Sequence, residues 1–121
     1  MARSRASAKA AGSSFERLIA DWLAMNVDDR IDRRVRSGAA DKGDLANVRA
    51  YDNRKITCEL KNVTRQDLPG WLREAETERV NAGDDLAVVI HKRFGNGRAG
   101  EQYVTMTVET FAEFLRKDDG L

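Results

Sequence analysis

Six consecutive residues, Leu86 to His91 (LAVVIH), constrain the fold more than any other feature of the chain. A run with no polar residue before its last position reads as a strand covered on both faces, which requires a packed layer on each side. Two helical stripes are available for those layers. Phe15, Leu18, Ile19, Trp22 and Leu23 recur at i, i+3, i+4, i+7 and i+8 behind a cap at Ser13 or Ser14. Leu68, Trp71, Leu72 and Ala75 form a second stripe that starts at Asp67 and Pro69 and stops near Gly83, with Glu74 and Glu78 expected on its outer face.

The remaining strands follow from period-two patterning. Arg30 to Arg36 is a short strand with Ile31, Arg33 and Val35 on one face. Asp44 to Tyr51 and Lys55 to Asn62 form a hairpin across Asp52, Asn53 and Arg54, and Gln102 to Val108 alternates as an outer strand should. Phe111, Phe114 and Leu115 close the chain with a short amphipathic helix. The order α, β, β, β, α, β, β, α predicts an α/β single domain, a mixed five-stranded sheet flanked by helices. A length of 121 residues allows one core and not two. Residues 1–12 carry Arg3, Arg5 and Lys9 without an acid and read as a flexible basic arm before a domain spanning 13–121.

Several classes of function are excluded by what the chain lacks. Cys58 is the only cysteine and His91 the only histidine, so neither an internal disulfide nor a Cys/His zinc cluster can form. No stretch reaches the 18 to 20 apolar residues of a membrane helix, and the amino terminus has no apolar block of the secretory kind. The expected location is the cytoplasm, with Cys58 an inert buried thiol. The net charge of +1 conceals an asymmetry: residues 1–65 hold 14 Lys or Arg against 9 Asp or Glu, and residues 66–121 hold 7 against 11. A polyanion could bind the basic half by displacing its counterions, although charge blocks also serve as solvated surface.

Chemistry concentrates in the segment ITCELKN. Ile56, Cys58 and Leu60 point one way, while Glu59 and Lys61 share the opposite face about 7 Å apart along the strand. The hairpin can bring Asp44, at the opening of the neighbouring strand, beside Glu59. Two carboxylates so placed suit Mg²⁺ or Mn²⁺. Such an ion lowers the pKa of a water and polarises a phosphoryl oxygen, and a nearby lysine offsets transition-state charge, which together fit phosphodiester hydrolysis. The same residues could instead form a cross-strand salt bridge on a solvated face. Glu16 has a rival reading too, because Ser13-x-x-Glu16 is a capping box, and on the residues alone capping prevails.

Helix with Glu16, GDL at Asp44, the strand ITCELKN with Glu59 and Lys61, then a helix and two strands: this order resembles the PD-(D/E)XK nuclease superfamily over roughly residues 13 to 116. Within it the chain is most similar to the small Holliday junction resolvases, including phage-encoded ones. The resemblance implies a restriction-endonuclease-like fold with an αβββαβ core. It implies a catalytic set of Glu16, Asp44, Glu59 and Lys61, with the metal held by Asp44, Glu59 and the Leu60 carbonyl. Gly43 stands where the superfamily has its proline, and Asp41 is the alternative to Asp44. The resemblance further implies a homodimer that holds a four-way DNA junction and nicks two strands of like polarity, in the host cytoplasm if phage-encoded. Arg34 and Arg36 are the expected backbone contacts, with Arg3 and Arg5 reaching along the arm. Alternatively, the arginines from 33 to 36 pair with Asp28, Asp29 and Asp32.

Other signals are set aside. GNGRAG at residues 95–100 matches a nucleotide-loop pattern but leads into a strand and not a helix, so it reads as a hairpin loop. Trp22 and Trp71 belong to apolar stripes and should pack in the core. His91 reads as a hydrogen-bonded structural histidine.

Overall fold

The structure, a computed structural model, describes residues 3–35 and 38–116. Its elements run α1 (Arg5–Asn26), β1 (Asp32–Arg33), β2 (Leu45–Ala46), β3 (Ile56–Lys61), α2 (Leu68–Ala82), β4 (Leu86–His91), a 3-10 turn (Ala99–Glu101), β5 (Tyr103–Thr105) and α3 (Val108–Leu115). The result is an α/β domain of three helices and five strands. No helix among the described residues is long and apolar enough to cross a membrane.

The apolar run Leu86–His91 is the central strand, as its composition requires. β4 pairs in parallel with β3, register Ile56↔Leu86 to Lys61↔His91, and antiparallel with β5. Alternation divides its side chains between two cores. Leu86, Val88 and Ile90 join Ile56, Cys58 and Leu60 of β3 under Phe15, Ile19 and Ala20 of α1. Ala87 and Val89 pack instead against Trp71 and Ala75 of α2. Each fully buried Leu, Ile, Val or Phe contributes about 1.5–3 kcal/mol over exposure, so the sandwiched β3–β4 pair anchors the domain. The one buried hydroxyl on the α2 face, Thr57 Oγ1, donates to Asp84 at 2.7 Å, which meets its hydrogen-bonding need.

The five strands make two sheets where one was expected: β1–β2 is an antiparallel pair, and β3–β4–β5 is a separate mixed sheet. The break lies at Asn47, whose φ of 66° cannot continue a ladder. Main-chain bonds still tie the two together, from Asp44 N–H to the Cys58 carbonyl (2.9 Å) and from Ile56 N–H to the Val48 carbonyl (2.9 Å). The strand expected from Arg30 to Arg36 shrinks to Asp32–Arg33. Of its apolar residues Ile31 is buried but Val35 is exposed, so only the start has a core to lie against.

α1 begins at Arg5 under a Ser4 cap, whose side chain accepts the Ser7 N–H at 3.1 Å. Residues 5–12 are therefore helical, not a flexible arm, because the Ala-rich RASAKAAG has high intrinsic helix propensity. The Ser13–Glu16 capping box accordingly falls inside the helix, where no free end exists to cap. α2 starts and stops as expected: Asp67 accepts the Gly70 N–H at 3.1 Å, and Gly83 ends it at φ 70°. Trp22 departs from expectation at 43% exposed, lying on the surface against Gly100.

Candidate active site

Glu59 and Lys61 point from β3 toward α2, opposite to Cys58 and Leu60. Asp44 approaches from the preceding segment. Its N–H donates to the Cys58 carbonyl, and its Oδ2 accepts the Leu60 N–H at 2.8 Å. This two-way link pins a buried carboxylate beside Glu59, with which it also shares a hydrogen bond. Asp44, Glu59 and Lys61 thus lie on one side of β3.

The turn before Asp44 explains why glycine stands where a proline was the family expectation. Gly43 has φ 92°, a left-handed value closed to proline and strained for any side chain. A Cβ there would meet Thr57 Cγ2 at 2.9 Å and the Cys58 carbonyl oxygen at 3.2 Å. The same turn folds Asp41 back, its Oδ1 accepting the Gly43 N–H at 3.0 Å. Asp41 and Asp44 are therefore not alternatives; both reach the vicinity of Glu59.

The unforeseen member is Glu78 of α2. Sequence patterning assigned it to the outer face, yet it is 2% exposed and hydrogen-bonds Glu59. Its position continues the buried stripe Trp71, Ala75, Glu78 at i, i+4 and i+7, so the helical period was the available signal. Carboxylate oxygens of Asp41, Glu59 and Glu78 lie within 4.8 Å of one another. Burial first, then hydrogen bonds to Asp44 and Glu78, raise the Glu59 pKa far above its ordinary 4.5; burial likewise raises Glu78. Burial of these neighbouring carboxylates favours retention of a proton within the cluster.

Lys61 lies at the solvent margin of this group, its Nζ 3.0 Å from Glu74 of α2. Burial would lower its pKa, but the Glu74 hydrogen bond and the charges of Glu59, Glu74 and Asp44 outweigh it and leave the amine above 10.5. The donor set of the cluster is all oxygen, hard and anionic. It fits Mg²⁺ or Mn²⁺, with Asp44, Glu59 and the Leu60 carbonyl as the available ligands. Cys58 belongs to the core, its thiol pushed up to about 12 by burial. His91 Nε2 bonds the Thr105 hydroxyl at 2.7 Å, a structural role as expected.

Glu16 lies on α1, held by Arg33 at 3.2 Å. It lines a cleft of about 750 Å³ with Asp44, and Lys9, Arg17, Arg33 and Arg34 surround them. Among the described residues the anticipated pairing of the arginines with Asp28 and Asp32 does not occur. Asp32 pairs with Arg17 and Asp28 with Arg30, and Arg34 forms no ion pair with another described residue. Arg3 donates to the Asn62 carbonyl at 2.7 Å, just beyond Lys61 on the chain, and Arg5 is exposed at the start of α1. Arg36 lies outside the described residues.

No protein-family model matches the chain, and comparison with curated proteins and with solved structures returns no match.

Proposed function

We propose that this chain is a Mg²⁺- or Mn²⁺-dependent structure-specific endodeoxyribonuclease with a restriction-endonuclease-like arrangement, acting as a homodimer on four-way DNA junctions. One observation carries the reading: Asp44, Glu59 and Lys61 converge on one side of β3 through the 2.8 Å bond from Leu60 N–H to Asp44 Oδ2. Two carboxylates, a main-chain carbonyl and an amine at one spot match the needs of phosphodiester hydrolysis. Asp44, Glu59 and the Leu60 carbonyl would hold a divalent ion, which when bound would supply Lewis acidity toward a phosphoryl oxygen and a lowered pKa for a water. The chain's own part is to orient and to balance charge. Asp44 is fixed at both its main chain and its carboxylate, while Lys61, kept protonated by Glu74, offsets the negative charge that builds at phosphorus.

Four cations against three acids (Glu16, Asp32, Asp44) line the cleft, and the cations support DNA as the substrate. Lys9, Arg17, Arg33 and Arg34 line a space that also reaches Asp44, so a phosphate backbone seated there would run toward the carboxylates. Cleavage of a four-way junction, a flap and a linear duplex in Mg²⁺ separates the readings. Preference for the junction supports the resolvase activity. Equal cutting of all three retains a nuclease of broader substrate range, and binding without metal-dependent cleavage of any DNA reduces the protein to a DNA-binding module.

A further inference from the structure

We infer that Asp41, Glu59 and Glu78 form a second divalent-cation site, adjacent to the one expected at Asp44, Glu59 and the Leu60 carbonyl and sharing Glu59 with it. Its part in cleavage rests on the nuclease reading; the cation site itself stands on geometry. One carboxylate oxygen from each residue lies within 4.8 Å of the other two. Ligand oxygens across a Mg²⁺ shell are about 4.2 Å apart and across a Ca²⁺ shell about 4.8 Å, twice the usual metal–oxygen distance. The three oxygens are therefore close enough for small side-chain adjustments to bring them onto one cation.

Glu78 supplies an independent sign of a missing ligand. The residue is almost wholly buried, and its Oε2 has no hydrogen-bond partner among the described residues. A desolvated carboxylate oxygen without a donor is an exception that needs a physical reason. Among the described residues no lysine or arginine pairs with Asp41, Glu59 or Glu78. The cations flanking the two buried members are committed elsewhere, Lys61 to Glu74 and Arg79 to Glu76. A bound cation would satisfy all three carboxylates together.

The site is also braced. Asp41 is set by its bond to the Gly43 N–H, and Asn81, three residues beyond Glu78 on α2, donates its Nδ2 to the Asp41 carbonyl at 2.8 Å. Loop and helix are thereby fixed to each other across the cluster. Asp41 is exposed while Glu59 and Glu78 are buried, so the site opens to water on one side, as Mg²⁺ and Mn²⁺ require. With only carboxylate oxygens as donors, the site suits hard cations such as Mg²⁺, Mn²⁺ or Ca²⁺. Two sites that share a carboxylate suit in-line displacement at phosphorus.

Titration of the intact protein with Mn²⁺, following the free ion by electron paramagnetic resonance, tests the proposal. Wild type should bind two ions per chain. Glu78→Gln and Asp41→Asn should each lose one ion or bind it roughly tenfold or more weakly, and Asp44→Asn should affect the other. Asp41 is on an exposed loop, so its variant keeps the test decisive if Glu78→Gln fails to fold. One ion per wild-type chain that both variants leave in place, or two undiminished in both variants, overturns the second site even if DNA is cleaved. Two ions bound without cleavage of any DNA supports the site and removes the nuclease reading instead.

Discussion

The Lys61 amine lies 3.0 Å from a carboxylate oxygen of Glu74, one turn of α2 before Glu78. The helix that completes the acidic cluster therefore also holds an amine at its margin. Under the nuclease reading Lys61→Ala should slow junction cleavage by about 10²–10³-fold, the usual cost of losing one transition-state charge partner. Glu74→Gln should cost much less at neutral pH. Because Glu74 raises the amine's pKa, its loss should move the alkaline limb of the pH–rate profile to lower pH. A Lys61→Ala enzyme within a few-fold of wild type would remove the lysine from the mechanism.

Asp44→Asn separates architecture from chemistry. The amide oxygen can still accept the Leu60 N–H, so urea unfolding should shift by no more than about 1 kcal/mol. Cleavage should be abolished while gel-shift binding of a four-way junction persists. Loss of folding would mean that Asp44 serves the hairpin and not an ion.

Gly43→Ala should destabilise the protein by about 1–3 kcal/mol, since φ 92° and the close Thr57 and Cys58 atoms both oppose a Cβ. Gly43→Pro should be worse, because the ring cannot adopt that φ. Urea unfolding monitored by tryptophan fluorescence gives the comparison. A neutral Gly43→Ala would show that the turn relaxes readily.

The cation-free protein should lose stability as pH rises. Glu59 holds its proton more tightly folded than unfolded, so above about pH 4.5 the unfolded chain releases a proton that the native state retains. The unfolded state then binds fewer protons, and the slope of unfolding free energy against pH is negative, at most about 1.4 kcal/mol per pH unit for one proton. The window runs from the ordinary glutamate range up through neutral pH. Thermal melts between pH 5 and 8 in EDTA should show the decline, Glu59→Gln should flatten it, and millimolar Mg²⁺ should oppose it. A flat wild-type profile would contradict a protonated Glu59.

Much of the frame was legible because local patterns and the final packing agree. Alternation in ITCELKN separates core from site, the Leu86–His91 run is buried on both faces, and Asp67 and Gly83 bound α2 by their own stereochemistry. What escaped reading had a physical cause in each case. Glu78 follows the buried period of α2, but its charge argues for water until Glu59 and Asp41 are seen opposite it. Ser13 resembles a cap more than Ser4 does, and only the propensity of the alanines between them carries the helix back to Arg5. The positive φ at Asn47 leaves no mark in a sequence where asparagine is also an ordinary surface residue. Asp41 and Asp44 looked like competitors because only two residues separate them, and the left-handed turn at Gly43 brings both to one place.

α2 has two tasks that cannot be varied separately. Trp71 and Ala75 seat it on the sheet, and the same seating fixes how far the Glu78 carboxylate stands from Glu59. Trimming or enlarging either apolar side chain would change the spacing between negative charges one turn away. Affinity for a cation would then report on the tightness of a hydrophobic contact, and a repacked interior would read as a retuned ion preference with every acidic residue still in the sequence.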